Sequence, residues 1–434
     1  MLARVTRTAA RSARTTLNCR TERSAWSAQT TTSVRRFASK KKEPLPQQAP
    51  ESAPSRPPVD PKVLRDELMH ELKEIIKLVV GGTVAIVALV ATSGYMIEST
   101  KQWNPMPAPG TFLEIKDDNG LPVKIHLQKK GSGQFTVVFD GGVGETSFDW
   151  DKVVDQVSEF ATVVSIDRPG LGFSPPGPLP RTSMQIADEY LEVLKKLNIT
   201  HQVILVGHGA GGYNMRQLAE ELAGSKNDTV MKCEGLVLVD ALQEDLRREL
   251  ESVSPAAKES LETMDANGKT VLNLSRFGII RMINSIQRDK FVQRYSPIAL
   301  PYVEHYLPSP AHRQGALLEN QGIPLTEERF RDTPFGPGFE FPCVVLTHGK
   351  PDMFDGMKAN AGIDATTIIA MERKWQNAQQ RLVDEVSAKP SVHITVPDAG
   401  HNIQHEQPEE VTRIVRALVN ELLDEGSKEG LVSL

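Results

Sequence analysis

The chain has 434 residues, with 50 Lys and Arg against 55 Asp and Glu, 6% aromatic residues and three cysteines, Cys19, Cys233 and Cys343. Without a basic stripe in its later part it does not read as nucleic-acid binding, and without paired cysteine spacings it has neither a disulfide framework nor a metal signature. The formal charge of −5 is uneven: residues 1–42 hold 11 Lys or Arg and one acid, Glu22, so the remainder sits near −15 and does not seek anionic lipid by charge.

Residues 1–42 open with MLARVTRTAARSARTTLNCRTERSAW, rich in Arg, Ser, Thr and Ala. This is the composition of a mitochondrial presequence, and the arginines of VRRFAS just before Phe37 resemble a processing site. Residues 43–61 are rich in Pro, Gln, Ser and Ala, cannot bury enough apolar surface to order themselves, and read as a linker. Asp60-Pro61 then predicts a helix start, with Asp60 as cap and Pro61 at the first helical position. A charged juxtamembrane helix is expected over residues 62–77. Residues 78–97, LVVGGTVAIVALVATSGYMI, carry no charge and span about 30 Å as a helix, the thickness of a hydrocarbon core. Lys and Arg before that stretch favour its N-terminal side as matrix-facing, which places the large domain in the intermembrane space.

From Thr111 to residue 425 the pattern becomes one of strands alternating with helices. TFLEIKD and PVKIHLQ predict a hairpin around Asn119-Gly120. TVVFD, TVVSID, QVILVG and GLVLVD are short β-branched runs ending in Gly or Asp, and helical stretches lie between them. Such alternation implies an α/β fold with a mostly parallel sheet. It lapses over residues 242–337, which read as a helical insertion, and FPCVVLT and VHITVP resume the sheet. Cys233 and Cys343 lie in or beside strands and read as buried thiols.

The segment ILVGHGAGGYNMRQLAEELA carries the chemistry. A strand runs into Gly207-His208-Gly209-Ala210-Gly211 and then a helix, the strand–turn–helix context of a nucleophile elbow, G-x-S-x-G. The flanking glycines permit a turn tight enough to project one side chain above the sheet. The projecting position here is Gly209. A phosphate loop is disfavoured, because no Lys followed by Ser or Thr closes the glycine run.

With this segment the chain resembles the α/β-hydrolase superfamily (AB hydrolase-1 domain). FDGGVGETSFDW resembles the loop after its third strand, SIDRPGLGFSPPGPLPRT its D-R-x-G-x-G-x-S turn, and PDAGHNIQHEQPEEV its G-H-x-I-x-x-x-x-P segment; LVLVDALQED and VVLTHGKPD fall between in the expected order. The resemblance implies an eight-stranded, mostly parallel sheet flanked by helices, with the insertion as a lid. It implies that His401 is the general base, that Asp352 is its acid with Asp240 as the alternative, and that the amides of Val143 and Ala210 form the oxyanion hole. Asp167 and Arg168 would brace the loops. No cofactor and no metal are implied.

The departure is Gly209, where a working hydrolase of this kind carries serine. Glycine deletes the attacking oxygen, so no acyl-enzyme forms at this position. Ser147, Ser165 and Ser174 follow no elbow and are poor substitutes. Two readings stand. One is a membrane-anchored pseudoenzyme or impaired hydrolase acting as a pocketed scaffold, ligand sensor or part of a membrane protein complex. The other is an active ester or lipid hydrolase in which His401 activates a water. Either has a mitochondrial membrane, the inner one on this reading, and a small apolar ester or lipid as its partners.

Overall fold

A computed structural model of the chain describes residues 60–423, apart from 118, 225–230, 333–337, 362 and 387–390. The presequence and nearly all of the linker lie outside the described residues. The first element is helix α1, Pro61–Trp103. It begins where the cap signal sits: Oδ1 of Asp60 accepts the Lys62 amide at 2.8 Å. The charged and apolar segments form one helix that continues past residue 97 to Trp103, and its apolar window is long enough to cross a bilayer and unburied.

Eight strands follow: β1 (Thr111–Lys116), β2 (Pro122–Lys130), β3 (Thr136–Asp140), β4 (Thr162–Asp167), β5 (Val203–His208), β6 (Cys233–Val239), β7 (Cys343–His348) and β8 (Val392–Val396). They form one sheet in the order β1-β2-β4-β3-β5-β6-β7-β8. β1 and β2 are the expected hairpin, with Lys116 opposite Pro122, and β2 meets β4 antiparallel. The pairs from β4 through β8 are parallel. β3 separates β4 from β5, so successive crossovers run to opposite sides and leave a crevice beyond the C-terminal strand ends, where sites gather in open α/β sheets.

Helices α2 (Asp151–Val157), α3 (Ser183–Lys196) and α4 (Gly211–Gly224) cover the first half of the sheet. Alternate residues of β5 feed two cores. Val203 and Leu205 pack with Tyr190 and Val193 of α3 and Met215 and Leu218 of α4. Ile204 and Val206 pack with α2 and with the C-terminal helix. Each such fully buried side chain contributes about 1.5–3 kcal/mol relative to exposure, which explains why the central strands are apolar on both faces.

The insertion between β6 and β7 is helical: α5 (Leu246–Glu251), α6 (Pro255–Arg276), α7 (Ile279–Ile286), α8 (Arg288–Arg294), α9 (Leu300–Tyr306) and α10 (Pro310–Asp332). Ser254 caps α6 by accepting the Ala257 amide at 3.1 Å, with Pro255 in the first turn. Tyr295, Val303 and Tyr306 pack on Phe148 and hold the insertion to the body. Helices α11 (Asp355–Ala361), α12 (Ala365–Glu385), α13 (Ile403–Glu406) and α14 (Pro408–Leu423) complete the fold.

Candidate active site

The turn after β5 is a true elbow. Gly209 has φ +53, a left-handed conformation that glycine adopts freely. A Cβ on Gly207 would lie 2.5 Å from the Gly211 carbonyl oxygen, and one on Gly211 would lie 2.5 Å from that of Asp140, so backbone packing forbids any side chain at either. Gly209 differs. A Cβ there would meet only Gly142 Cα at 3.4 Å and His401 Nε2 at 4.0 Å. The site therefore has room for a small side chain aimed at the imidazole and does not carry one.

His401 sits on the loop between β8 and α13, and its Nδ1 lies 2.7 Å from Oδ2 of Asp240. With Nδ1 donating to that carboxylate, Nε2 is left as an acceptor facing Gly209. The preference for Asp352 is thereby corrected. Asp352 is exposed and its carboxylate lies against Gly400, whereas Asp240 is fully buried behind the ring. Asp240 follows β6 at φ +44, a left-handed conformation unusual for a residue with a side chain.

Three more groups fix Asp240. Trp375 Nε1 donates to Oδ1 at 2.9 Å, His348 Nδ1 donates to Oδ2 at 2.7 Å, and the His348 amide reaches Oδ1 at 3.4 Å. The Trp375 ring also stands edge-on to His401, 5.3 Å between centroids. Burial opposes ionisation of Asp240, but the bonds from His348 and His401 outweigh it and hold its carboxyl well below the usual range. The other nitrogen of His348 lies 2.7 Å from Glu372 Oε1. Burial works against its charge, yet the two carboxylates push the imidazole up to about 10.

On the opposite side of His401 lies a second buried ion pair. His208, within the elbow, places Nδ1 2.8 Å from Glu145 Oε2 and donates from Nε2 to the His401 carbonyl at 3.1 Å. Burial disfavours both charges, but each partner stabilises the other: the His208 pKa is raised and that of Glu145 is depressed. Glu145 also accepts the Gly142 amide at 2.8 Å, which shapes the loop after β3. Glu145, Asp149 and His405 bring ligand atoms within 4.8 Å of one another. Arg294 lies among them, 3.1 Å from Glu145 and 3.3 Å from Asp149, so a guanidinium already supplies the countercharge.

The same loop is braced by Arg168. This fully buried guanidinium donates to the carbonyls of Gly141 at 3.0 Å and Gly142 at 2.7 Å, pairs with Asp140, and makes bonds of 2.7 and 2.9 Å to Glu319 of α10. Asp167 holds Ser147 and the Phe173 amide, so Ser147 is already engaged as a donor. Ser174 donates to the Asp167 carbonyl, and Ser165 is buried within β4. Among the described residues no hydroxyl or thiol bonds to His401. The amides of Val143 and Ala210 donate to no other group among the described residues. Cys233 and Cys343 are free thiols, the latter pushed up to about 12 by burial.

A cavity of about 1240 Å³ lies beneath the insertion, bounded by Leu246, Leu261, Ile323 and Phe354 and by the charged Arg247 and Glu327, and it reaches Val143 and Trp375 beside the site. Sequence reasoning missed His348, Glu372, Trp375 and the His208–Glu145 pair. The local signal was present for the first. His348 ends β7, whose Leu346 pairs with Val239, so a histidine and an aspartate close adjacent strands.

Residues 137–414 match the profile of the alpha/beta hydrolase family. The fold is similar to that of the Cif epoxide hydrolase from Acinetobacter nosocomialis, at TM-score 0.52 and 17% identity over 76% of this chain and 96% of that one. It is also similar to a probable hydrolytic enzyme from Pseudomonas aeruginosa, at TM-score 0.51 and 15% identity over 73% and 96%. An uncharacterised protein of Bacillus subtilis, YqjL, is 30% identical over 88 residues, 20% of this chain, and the chain spans about a third (35%) of that relative's length. With its sheet order, elbow and profile match in agreement, the chain belongs to the alpha/beta hydrolase family.

Proposed function

We propose that this protein is a membrane-anchored alpha/beta-hydrolase-fold protein that has lost covalent hydrolase chemistry and retains a ligand pocket. One observation carries the reading: Gly209 stands at the elbow, while His401 and Asp240 are bonded at 2.7 Å and aimed at it. Without an attacking oxygen the acyl-enzyme route is closed. Loss of a triad nucleophile lowers turnover about 10⁶-fold, leaving roughly 10³–10⁴-fold over water from binding and oxyanion stabilisation. The apolar part of the cavity wall would take a small apolar ester or lipid. The apolar helix α1 and the basic N-terminus support a single-pass anchor in a mitochondrial membrane, the inner one with the folded domain in the intermembrane space. There the protein would serve as a scaffold or sensor, alone or within a membrane protein complex.

The test is a serine-directed fluorophosphonate probe applied to the native protein and to Gly209→Ser. No labelling of the native protein and strong labelling of the variant are expected. Labelling of the native protein would overturn the proposal. A second reading rests on the space at Gly209. A water held there would lie near His401 Nε2 and could be activated directly for ester hydrolysis. On that reading turnover disappears in His401→Gln while the native protein still resists the probe.

A further inference from the structure

The last turns of the apolar stretch of α1 are not free. Gly94 packs directly on the insertion, where a Cβ would lie 1.8 Å from the Phe277 carbonyl oxygen, and a Cβ on Gly278 would lie 2.9 Å from Gly94 Cα. Two backbones touch there without intervening side chains. Four residues on, Glu98 is only 7% exposed and forms a bidentate pair with Arg281 of α7, at 2.6 and 2.9 Å. Arg281 also donates to the carbonyls of Glu304 at 2.8 Å and His305 at 3.0 Å. Helix α7 is thus fixed at the level of residues 94–98, where the uncharged stretch ends.

α7 has the sequence IIRMINSI. Ile280 is buried in the protein and Arg281 reaches Glu98. Ile279, Met282, Ile283 and Ile286 fall at the i, i+3, i+4, i+7 spacing of a single helix face. Ile279 is half-buried, but the rest of that face is open: Met282 is 48% exposed, Ile283 37% and Ile286 78%. Phe277, just before α7, and Val292 on α8 are exposed as well. On α1, Tyr95, Met96 and Ile97, which lie in sequence between docked Gly94 and Glu98, are exposed too.

We propose that this face of α7 lies in the membrane–water interface of the bilayer that α1 crosses, so that the insertion is held against the lipid surface. The inference rests on α1 being a membrane anchor. Three points favour lipid over another occupant. The patch lies on a helix docked to α1 through Gly94 and Glu98, at the end of the apolar stretch. It sits at the end of the span, the depth at which an amphipathic helix lies in the plane of a membrane. Residues 43–434 are acidic overall, so apolar insertion, not charge, would drive the contact. The consequence concerns the cavity. Helix α6 carries Ser260 and Leu261 on its wall and ends at Arg276, next to exposed Phe277, so one helix runs from the proposed ligand pocket to the start of α7. The ligand class this arrangement favours partitions into the bilayer through an apolar part and carries a polar group for the charged side chains of the cavity wall.

The full chain, reconstituted in phosphatidylcholine vesicles, tests this with an environment-sensitive fluorescent amino acid placed singly at Ile86, Ile286 or Glu262. Lipid carrying a nitroxide near the headgroup end of its acyl chain serves as quencher. Quenching of about twofold or more at 286, with little at 262, is expected for interfacial burial. The probe at 86 should be reached by a quencher placed deeper in the chain. Quenching at 86 without quenching at 286 would overturn the inference while leaving the anchor in place, and would point to a second copy or another segment over α7. Absence of quenching at both positions would overturn the anchor and the inference together.

Discussion

His348 and His401 donate to the same oxygen: both Nδ1 atoms lie 2.7 Å from Oδ2 of Asp240. One buried carboxylate thus serves a partly exposed imidazole at the mouth of the site and an imidazole sealed beneath it. His348 also meets Glu372 through its other nitrogen, so the imidazole sits between two carboxylates and braces Asp240 from the side away from His401. The left-handed backbone of Asp240 costs about 1–3 kcal/mol, and the bonds from His348, Trp375 and His401 offset it.

Asp240→Asn should be strongly destabilising. It leaves the His348 imidazolium facing a neutral amide in a buried site, and breaking a buried pair in this way costs about 3–5 kcal/mol. Asp352→Asn, at an exposed position, should lie within about 0.5 kcal/mol of the native protein. Urea midpoints of the two variants test the assignment. If the Asp352 variant were the unstable one, Asp240 would not be the partner of His401.

Stability should fall at alkaline pH. The His348 pKa rises from 6.5 to about 10 on folding. A raised folded-state pKa means that the folded state binds the proton more tightly. Its contribution is therefore fully present below pH 6.5 and is lost as pH rises toward about 10. Asp240 works in the opposite sense: its depressed carboxyl contributes above the normal carboxylate range and is lost only in strong acid. Unfolding free energy measured across this alkaline window should decline, and His348→Gln should flatten the decline.

Substitutions across the elbow should separate by geometry. Gly209→Ser introduces a side chain at φ +53 with no overlap closer than 3.4 Å, so the cost is the left-handed backbone alone, about 1–2 kcal/mol. Gly211→Ala places a Cβ 2.5 Å from the Asp140 carbonyl oxygen and should cost several-fold more or prevent folding. Thermal melts of the two variants decide it; equal losses would contradict the open space beside Gly209.

Arg168→Met should loosen the insertion as well as the loop after β3. It removes the donors that hold Gly141 and Gly142 and strands the carboxylates of Asp140 and Glu319, a loss of about 3–5 kcal/mol. Hydrogen exchange should quicken together in residues 141–145 and in the middle of α10. Faster exchange in the loop alone would show that Glu319 does not couple the two.

Gly94→Leu should undock α1 from α7 without touching the sheet, because the added atoms occupy the position of the Phe277 carbonyl. Limited proteolysis near residues 277–288 should accelerate, while the fluorophosphonate labelling of a Gly209→Ser background persists.

Local sequence was enough for the strands of the sheet, the hairpin at Asn119-Gly120 and the glycine turn after β5. Each of these is set by neighbours a few residues apart: alternation, turn glycines, a cap. It also ordered the motifs well enough to read the alpha/beta hydrolase fold. The choice between Asp240 and Asp352 was not local. Both follow strands in the same half of the sheet, and only the packed structure supplies the left-handed turn at Asp240 and the arms of His348 and Trp375 that carry its carboxylate to His401. Likewise the sequence marked both an apolar helix and an apolar FGIIRMI segment. Only the contact of Gly94 with Gly278 and the Glu98–Arg281 pair, about 180 residues apart in the chain, join them, because burial of backbone and charge is decided by what packs against them.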